Sequence, residues 1–160
     1  MTEPQKVTLP VVSKNIALKI TIDADRDRVW QALVEEIGVW WRKEFHVYEN
    51  SRLILEARPG GRLYEDVGGG AGGLWFTVMN ILPPTTLELC GHLAPQWGGP
   101  ATSIVRLTLE EQAGKTVLHV TDALFGCLRE NAEQQIGDGW QMLFGDGLKA
   151  HVETGTATLV

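Results

Sequence analysis

The sequence has no long apolar run, few cysteines and no surplus of basic residues. No stretch approaches the ~20 apolar residues that a membrane-spanning helix needs, and residues 1–14 lack the apolar segment of a signal peptide. We therefore expect a soluble, cytoplasmic protein that does not insert into membranes. The net charge of −6, with 14 scattered Lys and Arg residues, disfavours nucleic acid as a partner, because nucleic-acid binders cluster their positive charge.

The only two cysteines are Cys90 and Cys127, which lack CxxC spacing. One disulfide between them is conceivable. Two buried thiols, acting as small apolar residues in a reducing compartment, are the favoured interpretation.

Metal and nucleophile motifs are also missing. The histidines lie far apart without a pair at i, i+4, so we expect no metal site and no cofactor (His46, His92, His119, His151). No serine lies in a Gly-x-Ser-x-Gly context, which argues against serine hydrolase chemistry (Ser13, Ser51, Ser103).

The 160 residues and their 44% apolar content are ordinary for one globular domain. We assign residues 14–154 to that domain, residues 1–13 to an N-terminal extension and residues 155–160 to a tail. Alternation from Ile16 to Ile22 predicts a half-buried strand. Asp25 is then positioned to cap a helix with one apolar face, and Gly38 predicts a loop or a second short helix.

Six more apolar runs follow with short connections, at residues 53–57, 63–67, 74–82, 86–93, 105–110 and 116–125. Tight connections predict an antiparallel meander, since parallel neighbours need long crossovers. The glycine-rich stretch 68–73 is read as a mobile hairpin that could gate an opening. It is not a phosphate loop, because a strand and not a helix follows it.

The last segment, about residues 130–154, has an apolar stripe at helical spacing (Ile136, Trp140, Leu143, Phe144, Leu148, Val152). It also holds four glycines, each of which lowers helix stability by roughly 1 kcal/mol relative to Ala (Gly137, Gly139, Gly145, Gly147). Close packing of the helix against a sheet would offset this loss, and so would a bound ligand beside the helix. We favour close packing.

Two carboxylates interrupt apolar strand faces. Glu65 lies between Leu63 and Val67, and Asp122 is in phase with Val120. A buried carboxylate needs a donor or a polar ligand group. For Glu65 we expect a strand-end position that reaches water or an arginine such as Arg62 or Arg106. Asp122 is the better candidate for an interior polar group.

The order of these elements resembles the START/Bet v 1-like (SRPBCC) superfamily, and most of all the branch related to the C-terminal domain of the Hsp90 ATPase activator. The segments that carry the resemblance are Val29-Trp30, Pro59-Gly60-Gly61-Arg62, Pro83-Pro84, the strand Thr116–Gly126 and Gly139-Trp140. It implies an α+β helix-grip fold, in which a curved antiparallel sheet wraps a long C-terminal helix. It also implies small-molecule binding, with some members acting as cyclases, dehydratases or hydrolases. Many relatives carry a histidine where this chain has Asp122.

We accordingly predict a non-catalytic domain that binds a small hydrophobic or aromatic ligand in an internal cavity. Aromatic and aliphatic residues would line it, with Asp122 as polar handle and Trp97 at the mouth (Trp41, Trp75, Trp97, Leu107, Val120, Asp122, Trp140, Phe144). An enzyme resembling polyketide cyclases or dehydratases, using Asp122 and His119, is the alternative. Strand parity opposes it, since these two side chains point to opposite faces. A protein-interaction module is the third reading. A co-chaperone role of the activator's kind is doubtful, because the activator has a further N-terminal domain, and homodimerisation stays open.

Overall fold

The structure is a computed structural model that describes residues 3–155. Strand β1 (Val12–Ile22) begins four residues before Ile16 and so enters the predicted N-terminal extension. The strand is longer than predicted because β1 pairs along its whole length with the last strand, from Val12 opposite Gly126 to Ile22 opposite Thr116. Residues 1–2 of the extension and 156–160 of the predicted tail lie outside the described residues.

Two helices follow β1, as predicted. Helix α1 spans Arg26–Glu35, and its cap is confirmed, since Oδ1 of Asp25 accepts a hydrogen bond of 2.8 Å from the backbone N–H of Arg28. Gly38 falls within a second short helix, α2 (Ile37–Trp40). A single 3-10 turn at Lys43–Phe45 leads into the sheet.

The remaining strands are β2 (Arg52–Leu55), β3 (Arg62–Gly68), β4 (Ala71–Leu82), β5 (Thr86–Leu93), β6 (Ala101–Gln112) and β7 (Lys115–Gly126). They form one antiparallel sheet with β1, in the order β1-β7-β6-β5-β4-β3-β2. The predicted meander from β2 to β7 is confirmed. A 3-10 turn at Pro95–Trp97 lies in the connection between β5 and β6.

The chain's last helical segment is continuous. It comprises α3 (Ala132–Met142), a π-helical stretch (Leu143–Lys149) and α4 (Ala150–Thr154). Its apolar stripe packs on the concave face of the sheet and joins the core, where Trp140, Leu143, Phe144 and Leu148 are buried. The α+β helix-grip architecture is therefore present as expected.

The four glycines of this segment differ in their surroundings. A Cβ atom at Gly147 would lie 2.8 Å from the backbone oxygen of Trp40, so only glycine allows this approach to α2. At Gly137, Gly139 and Gly145 a Cβ would meet its nearest neighbour at 3.5–3.6 Å, an ordinary contact. Close packing thus explains Gly147, and there the helix approaches another helix and not the sheet.

Other expectations have clear outcomes in the described part of the chain. Cys90 and Cys127 are free thiols, although both are half-buried rather than buried.

The segment 68–73 forms a tight hairpin, with Gly69 and Gly70 at its tip and both at positive φ. Its mobility stays a prediction. None of the helices described between residues 3 and 155 has the length and apolar character needed to cross a bilayer.

Candidate functional site

A pocket of about 390 Å³ lies between the concave face of the sheet and α3. Apolar side chains from two strands and one helix line its wall (Trp75 and Phe76 of β4, Leu124 of β7, Ile136 and Trp140 of α3). The pocket reaches the surface at exposed residues from two loops and two strands (Val47, Tyr48, Leu74, His92, Trp97). Three polar side chains besides Tyr48 face it: Glu65, Ser103 and Asp122. His92 borders the pocket as a residue, but its ring contacts the Thr102 hydroxyl on the opposite face of the sheet.

Asp122 is a carboxyl group on the pocket wall with 1% of its surface exposed. Its Oδ1 accepts a 2.6 Å hydrogen bond from the Ser103 hydroxyl, and its Oδ2 accepts a 2.9 Å hydrogen bond from Nε1 of Trp140. Burial raises the pKa of Asp122 above its ordinary value, and these two donors offset part of the effect. No ion pair to Asp122 occurs within residues 3–155.

Glu65 is the second carboxylate at the pocket, and its side chain is fully buried. Oε1 accepts hydrogen bonds from the backbone N–H of Val47 (2.7 Å) and from Nε1 of Trp75 (2.8 Å). Oε2 accepts from the backbone N–H of Tyr48 (3.0 Å) and from the Ser51 hydroxyl (2.8 Å). Burial by itself would raise the pKa of Glu65, but the four donors outweigh it and hold the pKa below its usual range.

The expectation for Glu65 was wrong. It neither reaches water nor pairs with an arginine, since Arg62 pairs with Glu56 (2.6 Å) and Arg106 with Glu88 (3.0 Å). The physical reason is that the loop after α2 folds over β3 and presents backbone donors to the carboxylate. Nothing in the local pattern of β3 signals this loop.

A β-bulge explains why two consecutive aromatic residues both face the pocket. Leu63 pairs with Phe76 and Tyr64 pairs with Leu74, so Trp75 is an extra residue in β4. Simple alternation would send Trp75 and Phe76 to opposite faces of the sheet. With the bulge, Phe76 is buried in the core and the Trp75 indole reaches Glu65.

A family model described as "Activator of Hsp90 ATPase homolog 1-like protein" matches residues 23–153, which is most of the chain. The chain belongs to this family. A search of curated proteins gave no match. The family match agrees with the resemblance drawn from the sequence.

Solved structures of similar fold come from several bacteria. A protein from Rhizobium leguminosarum has a TM-score of 0.69 and 18% identity, with 92% of this chain and 99% of that chain covered. CalU16 from Micromonospora echinospora has a TM-score of 0.62 and 22% identity, with 93% and 85% covered. The Aha1 dimer from Colwellia psychrerythraea has a TM-score of 0.59 and 20% identity, with 89% and 98% covered. At these identities the likeness concerns the fold.

Within this member of the family, the eight residues expected at the ligand site fall into two groups. Trp75, Trp97, Asp122 and Trp140 lie on the pocket. Trp41, Leu107, Val120 and Phe144 lie in the packed core instead. The space beside Trp41, Leu107 and Phe144 is only about 10 Å³, which is at the lower limit for a single water molecule.

The structure confirms that Asp122 and His119 point to opposite faces of β7, as strand alternation predicts. Asp122 faces the pocket, whereas His119 lies on the opposite face of β7, with Nε2 2.9 Å from Oε2 of Glu110. The two side chains do not share a site. No cluster of three or more potential metal ligands occurs among the residues the structure describes.

Sequence reasoning missed several pocket residues, chiefly Tyr48, Phe76, Ser103, Leu124 and Ile136. Ser103 had a usable signal, since it is in phase with the inward residues Val105 and Leu107 of β6. Ile136 was assigned to the apolar stripe of the helix but not to the pocket. Tyr48 comes from an irregular loop, where no periodic pattern indicates direction.

Proposed function

We propose that this protein binds a small apolar or amphipathic molecule in the pocket and does not turn it over. The observation that carries the proposal is a space of about 390 Å³ walled mainly by aromatic and aliphatic side chains, with a few polar groups at fixed positions. Small-molecule sites are typically concave, mostly apolar and roughly 300–1,000 Å³ in volume.

Affinity would come mainly from apolar surface removed from water, at about 25 cal/mol per Å². Asp122 and Ser103 would orient the ligand at the closed end, because both are buried and their hydrogen-bond partners hold them in place. Trp97 lies at the mouth with 54% of its surface exposed, where it can pack over a bound molecule. The family match also supports ligand binding, since the wider superfamily that the sequence resembles commonly binds such molecules.

The direct test is native mass spectrometry of the protein taken from cells without extensive dialysis. We expect a retained small molecule as a mass increment that disappears on denaturation. Binding of added apolar and aromatic compounds is then followed by thermal shift and by chemical-shift changes in NMR spectra.

A pocket-filling variant and a matched surface variant test whether the ligand lies in this pocket. Ile136→Trp places a large side chain in the pocket, while Ile104→Trp makes the same change at an exposed position of β6. We expect Ile136→Trp to abolish ligand binding with the fold retained, and Ile104→Trp to bind as the wild type does. Equal binding by both variants would place the ligand elsewhere and contradict the proposal.

Two further proposals concern the oligomeric state of the protein and its location in the cell. The solved Colwellia protein is described as a dimer, which supports testing this chain for self-association by light scattering. The free thiols of Cys90 and Cys127 support a cytoplasmic location, because disulfides are rare in that reducing compartment.

A further inference from the structure

The wall of the pocket is acidic. Two of its side chains are carboxyl groups, Glu65 and Asp122, and none of the described residues that line it is a lysine or an arginine. One guanidinium, that of Arg129, approaches the mouth by packing on Gly98, but it does not line the pocket. The whole chain also carries a net charge of −6. A ligand with a negative group would therefore enter an unfavourable field.

The two carboxylates differ in what they can still accept. Each oxygen of Glu65 already accepts two hydrogen bonds, so its four acceptor sites are in use. Each oxygen of Asp122 accepts only one, from Ser103 or from Trp140. Asp122 therefore keeps acceptor capacity for a donor on a bound molecule, while Glu65 contributes through its charge.

Aromatic side chains surround these acidic groups. Trp75, Trp97 and Trp140 line the pocket together with Phe76 and Tyr48. A cation near the face of such rings is attracted by their quadrupole, most strongly by tryptophan, and the attraction is larger when water is excluded. Aromatic rings combined with an uncompensated carboxylate form the chemical environment that suits an organic ammonium group.

We infer that the pocket selects ligands that carry an ammonium group on a compact apolar body and rejects ligands that carry a carboxylate. The inference rests on the proposed function, since it names the ligand class of the same pocket. The ammonium group donates to Asp122 and lies among the tryptophan rings, and the apolar body fills the remaining space. No ion pair to Asp122 occurs among residues 3–155, so its charged form has no cationic partner within them. The ligand supplies that partner.

The test uses three probes with the same apolar body: 4-phenylbutylamine, 4-phenylbutan-1-ol and 4-phenylbutyrate. Dissociation constants are measured at neutral pH by NMR titration, in low salt and again in 0.5 M NaCl. We expect the amine to bind about tenfold more tightly than the alcohol, a difference of about 1.4 kcal/mol, and the carboxylate to bind most weakly. The preference should persist in salt, because buried interactions are screened much less than exposed ones.

The alcohol separates this inference from the proposal on which it rests. Binding of the alcohol with no preference for the amine, or with the carboxylate bound most tightly, overturns the ammonium inference and leaves small-molecule binding intact. Failure of all three probes to bind at millimolar concentration counts against both.

The variant Asp122→Asn assigns the preference to one residue. An asparagine can keep both contacts, because its oxygen accepts from Trp140 and its amide donates to the Ser103 oxygen. We expect the ratio of amine to alcohol affinity to fall to about twofold or less. Asp138→Asn, the same change at an exposed site on α3, is the control and should keep the tenfold ratio. Retention of the ratio in Asp122→Asn, or an equal loss in both variants, overturns the role of Asp122.

Discussion

Nε1 of Trp140 donates a 2.9 Å hydrogen bond to Oδ2 of Asp122, and this bond joins the C-terminal helix to the last strand at the pocket wall. The indole ring also stacks on Phe144, with 5.5 Å between ring centroids. One end of Trp140 is thus packed in the core while its polar edge satisfies a buried carboxyl group. Because the bond is buried, removing its donor affects both stability and the charge state of Asp122.

Replacing Trp140 with phenylalanine tests this connection. Oδ2 of Asp122 loses its donor, so we expect the free energy of unfolding to fall by about 1–3 kcal/mol and the pKa of Asp122 to rise further. Chemical denaturation and NMR titration of the Asp122 carboxyl carbon measure the two effects. Trp97→Phe is the control: its side chain is half-exposed, and we expect a change within about 0.5 kcal/mol. Equal losses in the two variants would contradict the assignment.

The variant Asp122→Asn is expected to change the pH dependence of stability. Because the pKa of Asp122 is raised by folding, the folded state binds its proton more tightly than the unfolded state does. This group's contribution to the free energy of unfolding therefore decreases as pH rises from the unfolded pKa through the folded one. We expect Asp122→Asn to melt at a higher temperature than the wild type at pH 7, with the gain shrinking as pH falls towards about 4. Thermal melts of the variant and the wild type over this pH range test the prediction. A difference in melting temperature that stays the same at every pH would count against it.

The contribution of Glu65 to stability should depend on pH in the opposite direction. Its pKa is lowered by folding, so its contribution to stability is present above the unfolded pKa and is lost as pH falls through the folded value. In Glu65→Gln, one backbone N–H of the loop at Val47-Tyr48 would face an amide donor. We expect this variant to lose about 1–3 kcal/mol at pH 7 and to respond less to acid than the wild type.

The exposed Glu111→Gln serves as the matched control for Glu65→Gln, with an expected change within about 0.5 kcal/mol. Urea denaturation at pH 7 and at pH 4 gives both quantities. A Glu65→Gln protein as stable as Glu111→Gln would show that the four hydrogen bonds contribute little.

Two glycine substitutions in the C-terminal helix should have opposite effects. Gly137→Ala adds a methyl group at ordinary contact distance from Ile16, so helix propensity should raise the free energy of unfolding by about 0.5–1 kcal/mol. Gly147→Ala forces a Cβ to within 2.8 Å of the Trp40 backbone oxygen, and we expect a loss of about 1–3 kcal/mol. Denaturant melts of the two variants test this, and stabilisation by both would contradict the close approach.

Periodicity carried most of the fold prediction. The apolar runs anticipated the six strands of the meander, and the four apolar positions from Trp140 to Leu148 anticipated the buried side of the helix. Strand phase also placed Asp122 inward and His119 outward, because side chains alternate strictly where no bulge intervenes. The same rule fails at Trp75, where an extra residue in β4 turns two neighbouring aromatic rings to one face.

The sequence by itself determined the order of the elements and which face of each regular strand is buried, since both follow from local hydrophobic spacing. Only the tertiary structure decided where the concave face stays unfilled and how Glu65 is satisfied. Its donors at Val47, Tyr48 and Ser51 precede it by 14–18 residues in an irregular loop. The pocket lies beside α3 at Ile136 and Trp140, whereas further along the helix Leu143, Phe144 and Leu148 fill the space against the sheet. Such positions depend on how distant side chains pack together, and no short-range pattern encodes that.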